Sequence, residues 1–231
     1  MPQSTNPLKK AIAFFIPHKT IPHTIWAASH RWNLSWLRLS ILISGLTVFG
    51  FGEALLIQSN AGNSPWTVLA QGFSLHSPLS IGESTFLISA LVLCIWLPLG
   101  ERPGFGTLAN MIVIATALQI GISIIPPVHH NLLLSVFMIL IGIGAVGIGS
   151  AFYITCALGP GPRDGLMTAL HKRTGIRVGR VRLFIEMIAL SCGIALGGRA
   201  GLGTALFALL IGNSVAIAFS MVHKINAYAS R

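Results

Sequence analysis

The chain carries five carboxylates, Glu53, Glu83, Glu101, Asp164 and Glu186, in very different settings. Glu53 lies near the end of the first long apolar run, and Glu186 about a turn inside the fifth. A carboxylate inside such a run is costly and marks a functional site by default. Arg182 stands four residues before Glu186, the spacing of a helical ion pair, so a structural role stays open for that residue. Glu101 beside Arg102 reads as a loop pair, and Glu83, at the start of the second run, as a wet side chain.

Asp164 sits in the most polar stretch, "LGPGPRDGLMTALHKRTG", residues 158–175. Its pattern, G-x-x-P-x-[TD]-x-L, also occurs at 62–69. Proline suits the first helical position, where its missing N–H costs nothing. Short helices are therefore expected over about 65–74 and 162–173, with Ser64 and Gly161 as N-caps and Thr67 and Asp164 in the first turns. A helix start offers unpaired N–H groups and positive potential to an anion or polar solute. Pro65, Trp66, Thr67, Pro162, Arg163, Asp164, Glu53 and Glu186 thus form the candidate substrate or translocation set. Two placements of the short helices stay open: connectors on the membrane surface, or half-helices dipping inward. Lys172, Arg173, Arg177, Arg180 and Arg182 form a separate basic set.

No catalytic triad, H-E-x-x-H, Walker loop or dinucleotide fingerprint is present, so neither an enzyme nor a cofactor is expected. Cys94, Cys156 and Cys192 fall in or beside apolar runs without C-x-x-C spacing and read as buried apolar side chains. Adjacent His129 and His130 diverge and make a poor metal site. The glycines of "GIGAVGIGSA" suit close helix packing rather than a phosphate cradle.

The elements that must position these groups follow from composition. The chain is 53% hydrophobic and 9% charged, against about 25% charged in soluble domains. This is the balance of an all-α membrane protein. Six runs are long enough to span: about 37–58, 81–99, 106–125, 132–157, 181–198 and 203–222. The formal charge of +10 follows topology rather than nucleic-acid binding: with six spans, every Lys and Arg except Arg199 falls on one side. Both termini are then cytoplasmic. The first 36 residues show no A-x-A-like cleavage site, and Phe14, Phe15, Trp26, Trp32 and Trp36 among basic residues suit the headgroup level.

Displaced by 97 residues, the sequence matches itself without a gap, with 19 identities over residues 43–120. Gly62, Pro65 and Leu69 fall on Gly159, Pro162 and Leu166, and "GERPGFGT" falls on "GGRAGLGT". Two repeats of three spans follow, at 37–128 and 129–231, after a basic and aromatic segment at 1–36. Three is odd, so the repeats would have inverted topology, as in many transporters.

"GNSPWTVLAQG", "LPLGERPGFGT", "ALGPGPRDGLM", "GRVRLFIEM" and "GTALFALLIG" resemble the bacterial YczE-like membrane proteins of the YczE/YyaS/YitT grouping, over roughly residues 40–215. The resemblance implies a multi-pass protein of the bacterial cytoplasmic membrane and no particular reaction. The expected partners are the lipid bilayer and a small solute carried by a transporter or channel-like permease. The competing expectation is a non-transporting scaffold or regulator that acts through the basic loop 158–182. Oligomeric state is not legible.

Overall fold

The computed structural model describes residues 21–229, and among these the chain is all-helical. The eight helices are α1 Trp36–Gln58, α2 Pro65–Ser74, α3 Ile81–Leu99, α4 Phe105–Ile124, α5 Leu132–Thr155, α6 Pro162–Thr174, α7 Val178–Ala195 and α8 Leu202–Ala229. Four of the six expected spans, α1, α4, α5 and α8, are long and apolar enough to cross a membrane by length and composition. The apolar stretch of α3, Ile81–Trp96, is shorter, and Arg180, Arg182 and Glu186 interrupt the first half of α7.

The helices fall into two groups. The four long helices pack α1 against α4 and α5, and α5 against α8. The α1–α5 crossing is held at backbone distance by small residues. A Cβ added to Gly52 would meet the Gly142 carbonyl at 2.8 Å, and one added to Gly142 would meet the Gly52 carbonyl at 2.8 Å. The second group pairs α2 with α7 and α3 with α6. Trp66 of α2, Trp96 of α3, Leu166 and Met167 of α6, and Val181 and Ile185 of α7 form its shared apolar core.

Both short helices begin where the Pro-at-N1 pattern places them, after extended Ser64 and Gly161. The loops before them share unusual backbone at the 97-residue offset. Asn60 and Ala157 both have φ of 54°, while Gly62 and Gly159 have φ of 115° and 112°. Glycine tolerates that region without a Cβ penalty. Each loop also caps a distant long helix: Ala61 O accepts from Gly203 N at 2.8 Å, and Leu158 O from Gly106 N at 2.8 Å.

One end of the molecule gathers Arg31, Arg102, Lys172 and Arg173. Trp26, expected at the headgroup level, is instead buried, and its indole N–H donates to Thr155 Oγ1 at 3.3 Å. Trp32 and Trp36 are exposed. Phe14, Phe15 and the remainder of residues 1–20 lie outside the described residues. Glu101 does not pair with its neighbour Arg102 as expected. It binds Arg31 at 2.9 Å and Lys172 at 2.8 Å, because the chain brings residue 31 and the end of α6 to the 100–104 loop. The main-chain carbonyl of Arg102 accepts from Arg31.

Candidate functional site

Helix α1 is apolar through most of its length, so burying Glu53 there requires compensating donors. They come from the start of α2. The Ser64 hydroxyl lies 3.0 and 2.8 Å from the two Glu53 carboxylate oxygens, and Thr67 Oγ1 donates to Glu53 Oε2 at 2.7 Å. Glu53 is only 1% exposed. Ser64 serves the carboxylate and makes no side-chain cap bond to its own helix. Thr67 was expected to favour first-turn N–H groups, and its hydroxyl is likewise turned to Glu53.

The start of α6 is built differently. Trp96 of α3 is fully buried, and its indole N–H donates to the Pro162 carbonyl at 2.9 Å. Gly165 permits this approach, since a Cβ there would fall 1.9 Å from the indole ring. Asp164 accepts a hydrogen bond from the Tyr153 hydroxyl of α5. The Arg163 guanidinium lies over the Trp66 ring, 5.1 Å from its centroid, so a residue of α6 rests on a residue of α2.

Both helix starts border one cavity of about 130 Å³, set between the two helix groups. It collects Glu53, Pro65, Trp66, Arg163, Asp164 and Glu186 from the candidate set. Pro162 supplies the carbonyl that Trp96 holds, and Thr67 acts through Glu53. Much of the lining consists of positions 97 residues apart with altered chemistry: Glu53 with Ser150, Trp66 with Arg163, Thr85 with Arg182, and Ser89 with Glu186. Arg182 and Glu186 form the expected pair, with Nε to Oε1 at 2.9 Å, and both also face the cavity.

Sequence reasoning missed Tyr153, Ser150, Asn110 and Trp96. Ser150 was legible as the counterpart of Glu53, and Tyr153 lies one turn beyond it as a lone phenol in an apolar run. The polar residues after Glu53 do other work. Gln58 Nε2 donates to the Ile122 and Ile125 carbonyls at the end of α4, and Asn63 Nδ2 to Gln71 Oε1 at 2.8 Å.

Of the basic set, only Arg182 reaches the cavity. Lys172 is spent on Glu101, and Arg173 donates to the Pro98 carbonyl at 2.5 Å. Arg177 stands at the N-cap position of α7 without a side-chain cap bond, and Arg177 and Arg180 are exposed. Away from the cavity, Glu83 is exposed as expected. Its carboxylate accepts hydrogen bonds from the Ser80 N–H and hydroxyl, both at 2.8 Å.

The family model described as "Family of unknown function (DUF6198)" matches residues 36–220, which includes every element around the cavity. An uncharacterized protein of Haemophilus influenzae is 42% identical over 207 residues, covering 90% of this chain and 94% of its own length. The uncharacterized membrane protein YczE of Bacillus subtilis is 32% identical over 179 residues, 76% of this chain and 82% of its own. The uncharacterized protein YyaS of the same organism is 26% identical over 184 residues, 78% of this chain and 91% of its own. No solved structure matches. With four helices able to span a bilayer and these relatives, the chain belongs to the DUF6198 family of unknown function as a YczE-like multi-pass membrane protein.

Proposed function

We propose that this protein is a small-solute transporter or channel-like permease, and not an enzyme, whose solute occupies the cavity between the two helix groups. The observation that carries the reading is that two Pro-started short helices, one from each half of the chain, border the same polar cavity. That is how discontinuous helices present N–H groups to a solute inside a membrane. Burial of six of the ten residues of α2, and of five residues of α6, favours half-helices that dip inward over surface connectors.

The same reading takes α3 and α7 as the remaining two spans, in two inverted repeats. Its support is the exchange of partners at the 97-residue offset. α2 packs on α7 as α6 packs on α3, and the loops at 61 and 158 cap α8 and α4 in turn. The gathering of Arg31, Arg38, Lys172, Arg173, Arg177 and Arg180 around one end supports reading that end as cytoplasmic, in a bacterial inner membrane, by the positive-inside tendency. A scaffold acting through the basic loop gains less from the geometry, because Lys172 and Arg173 are bound within the fold.

The test is flux into proteoliposomes across a panel of small charged and polar solutes. Wild-type protein should move at least one of them, and Arg163→Ala should cut that flux at least tenfold. No flux of any solute by folded protein would overturn the transport reading.

A further inference from the structure

The charges around the cavity do not close on one another, and this gap narrows what the cavity can hold. Arg163 lines the cavity together with Glu53, Asp164 and Glu186. Yet none of the three comes within the 4.0 Å of an ion pair with it, whereas Arg182 and Glu186 do pair. The Arg163 guanidinium makes no hydrogen bond to a described residue, and it lies over the Trp66 ring. Donor capacity is idle elsewhere on the wall. The Trp66 indole N–H has no partner although the side chain is 7% exposed, and the Asn110 amide also bonds to no described residue. An unmade hydrogen bond at a buried donor costs about 1–3 kcal/mol, so a ligand that supplies acceptors here gains more than one binding in water.

The lining also supplies carboxylates, Glu53 from α1 and Asp164 from α6. Once Arg182 and Glu186 are counted as a pair, the charges left on the lining are Arg163, Glu53 and Asp164. Glu53 retains acceptor capacity beyond the two hydroxyls it binds. A lone anion on Arg163 would sit in the field of both carboxylates. A lone cation beside Glu53 would sit in the field of Arg163. A molecule with both charges, a few bonds apart, answers both sides at once. Part of the wall is apolar, with Phe49, Ile114, Val146, Phe207 and Ile211, while hydroxyls such as those of Ser89 and Ser150 line another part. A volume of about 130 Å³ is close to the roughly 150 Å³ of an engineered cavity that takes up benzene, which limits the occupant to a handful of heavy atoms.

We infer that the cavity binds a small zwitterion of the amino-acid type, its carboxylate on Arg163, Trp66 Nε1 and Asn110, its ammonium toward Glu53 and Asp164, and a short apolar side chain against the apolar wall. This names the solute class for the transport reading and rests on the same cavity. Its test measures binding, not flux, so the two can fail separately.

Full-length protein in detergent is titrated calorimetrically with glycine, L-alanine, acetate and methylammonium. L-Alanine or glycine should bind at least tenfold more tightly than either singly charged probe. Arg163→Gln and Glu53→Gln should each weaken that binding at least tenfold while the protein still elutes as a single folded species. Because Glu53 is buried and its variant can misfold, Arg163→Lys serves as a second variant. It keeps the charge but loses the planar fork, and it should bind more weakly than wild type. Acetate binding as tightly as alanine would make this an anion site, and methylammonium doing so would make it a cation site. Either result, or no binding of any probe, overturns the proposal. Tight alanine binding without flux would leave the inference standing and remove the transport reading.

Discussion

At the start of α2 the carboxylate belongs to the long helix and the hydroxyls to the short one: Glu53 receives Ser64 and Thr67. At the start of α6 the roles are exchanged. Asp164, the counterpart of Thr67, carries the acid on the short helix, and Tyr153 carries the hydroxyl on the long one. The apolar packing is exchanged too. Trp96 of α3 fills the space over Gly165 of α6, whereas its counterpart Gly193 of α7 lets the backbone at Val68 of α2 approach. A Cβ at Gly193 would meet Leu69 N at 2.5 Å. Both junctions tie a short helix to its surroundings with one acid and at least one hydroxyl, and with one glycine. What differs is which helix owns each part, and that places unlike side chains on opposite walls of one cavity.

The largest effect is expected from forcing the α6 junction to take a side chain. Gly165→Val drives methyl groups into the Trp96 indole. Overpacking of this kind costs about 1–3 kcal/mol, and here rigid neighbours push it to the upper end. Trp96→Gly removes a fully buried indole and its bond to Pro162, for a loss of about 3–5 kcal/mol. The double variant recreates at this junction the Gly and Val of the other. It should melt above Trp96→Gly alone in detergent. A double variant that melts below both single ones would show that the two junctions are not alternative solutions to one packing problem.

A smaller and more discriminating effect is expected from the hydroxyls. Glu53 is only 1% exposed, so Thr67→Val leaves a buried carboxylate short of a donor and should cost about 1.5–3 kcal/mol. Asp164 is only half-buried. It borders both the central cavity and a second, more open pocket of about 460 Å³ toward the basic end, with Tyr153, Met167 and Arg182 shared between them. Water from that pocket can replace the phenol. Tyr153→Phe should therefore cost under about 1 kcal/mol while speeding amide exchange in residues 163–168. This would identify the α6 junction as the one that opens and the α2 junction as the one that holds. Equal losses of stability with unchanged exchange would erase that distinction.

How far each junction could be seen in advance follows from the range of the interaction involved. The start of each short helix was legible because Pro at N1 and the glycine before it are local requirements. The Arg182–Glu186 pair was legible because one helical turn sets it. The close α1–α5 crossing was half legible in "GIGAVGIGSA", which shows small residues but not their partner. Arg163 on Trp66, Tyr153 on Asp164 and Trp96 on Gly165 depend on where separate helices meet, and no local pattern encodes that. Glu101 shows the hazard of the local rule. Its neighbour Arg102 was the obvious partner, but Arg31 and Lys172, each about 70 residues distant, took its two oxygens. The 97-residue offset held more than was drawn from it, since Ser150 opposite Glu53 and Gly193 opposite Trp96 already marked the exchange of roles.

The smallest effect concerns the ties at the two ends. At the basic end, Glu101 joins the last turn of α6 to Arg31 through charge. Burial is the strongest single influence on its carboxyl and opposes ionisation. The hydrogen bonds and charges of Lys172 and Arg31 together outweigh it and hold the group below its ordinary value of 4.5. At the other end the corresponding tie is carried by amide oxygens. Gln71 Oε1 accepts from Arg199 N at 2.9 Å, and Asn60 Oδ1 from Arg199 Nη1 at 2.6 Å. Amides do not titrate. A depressed carboxylate contributes stability that is fully present above its unfolded value and is lost as pH falls through the folded one. Acidification below about 4.5 should therefore loosen the last turn of α6 and leave α2 unchanged. The contribution is on the order of 0.5 kcal/mol per pair, because Arg31 and Lys172 are substantially exposed. Amide exchange at residues 170–175 against 71–75, measured from pH 6 to about pH 3.5, reads the difference. Glu101→Gln should abolish the pH dependence at 170–175 and raise exchange there at pH 6. If acid loosened both ends alike, the contrast between a charged and a neutral tie would not describe this molecule.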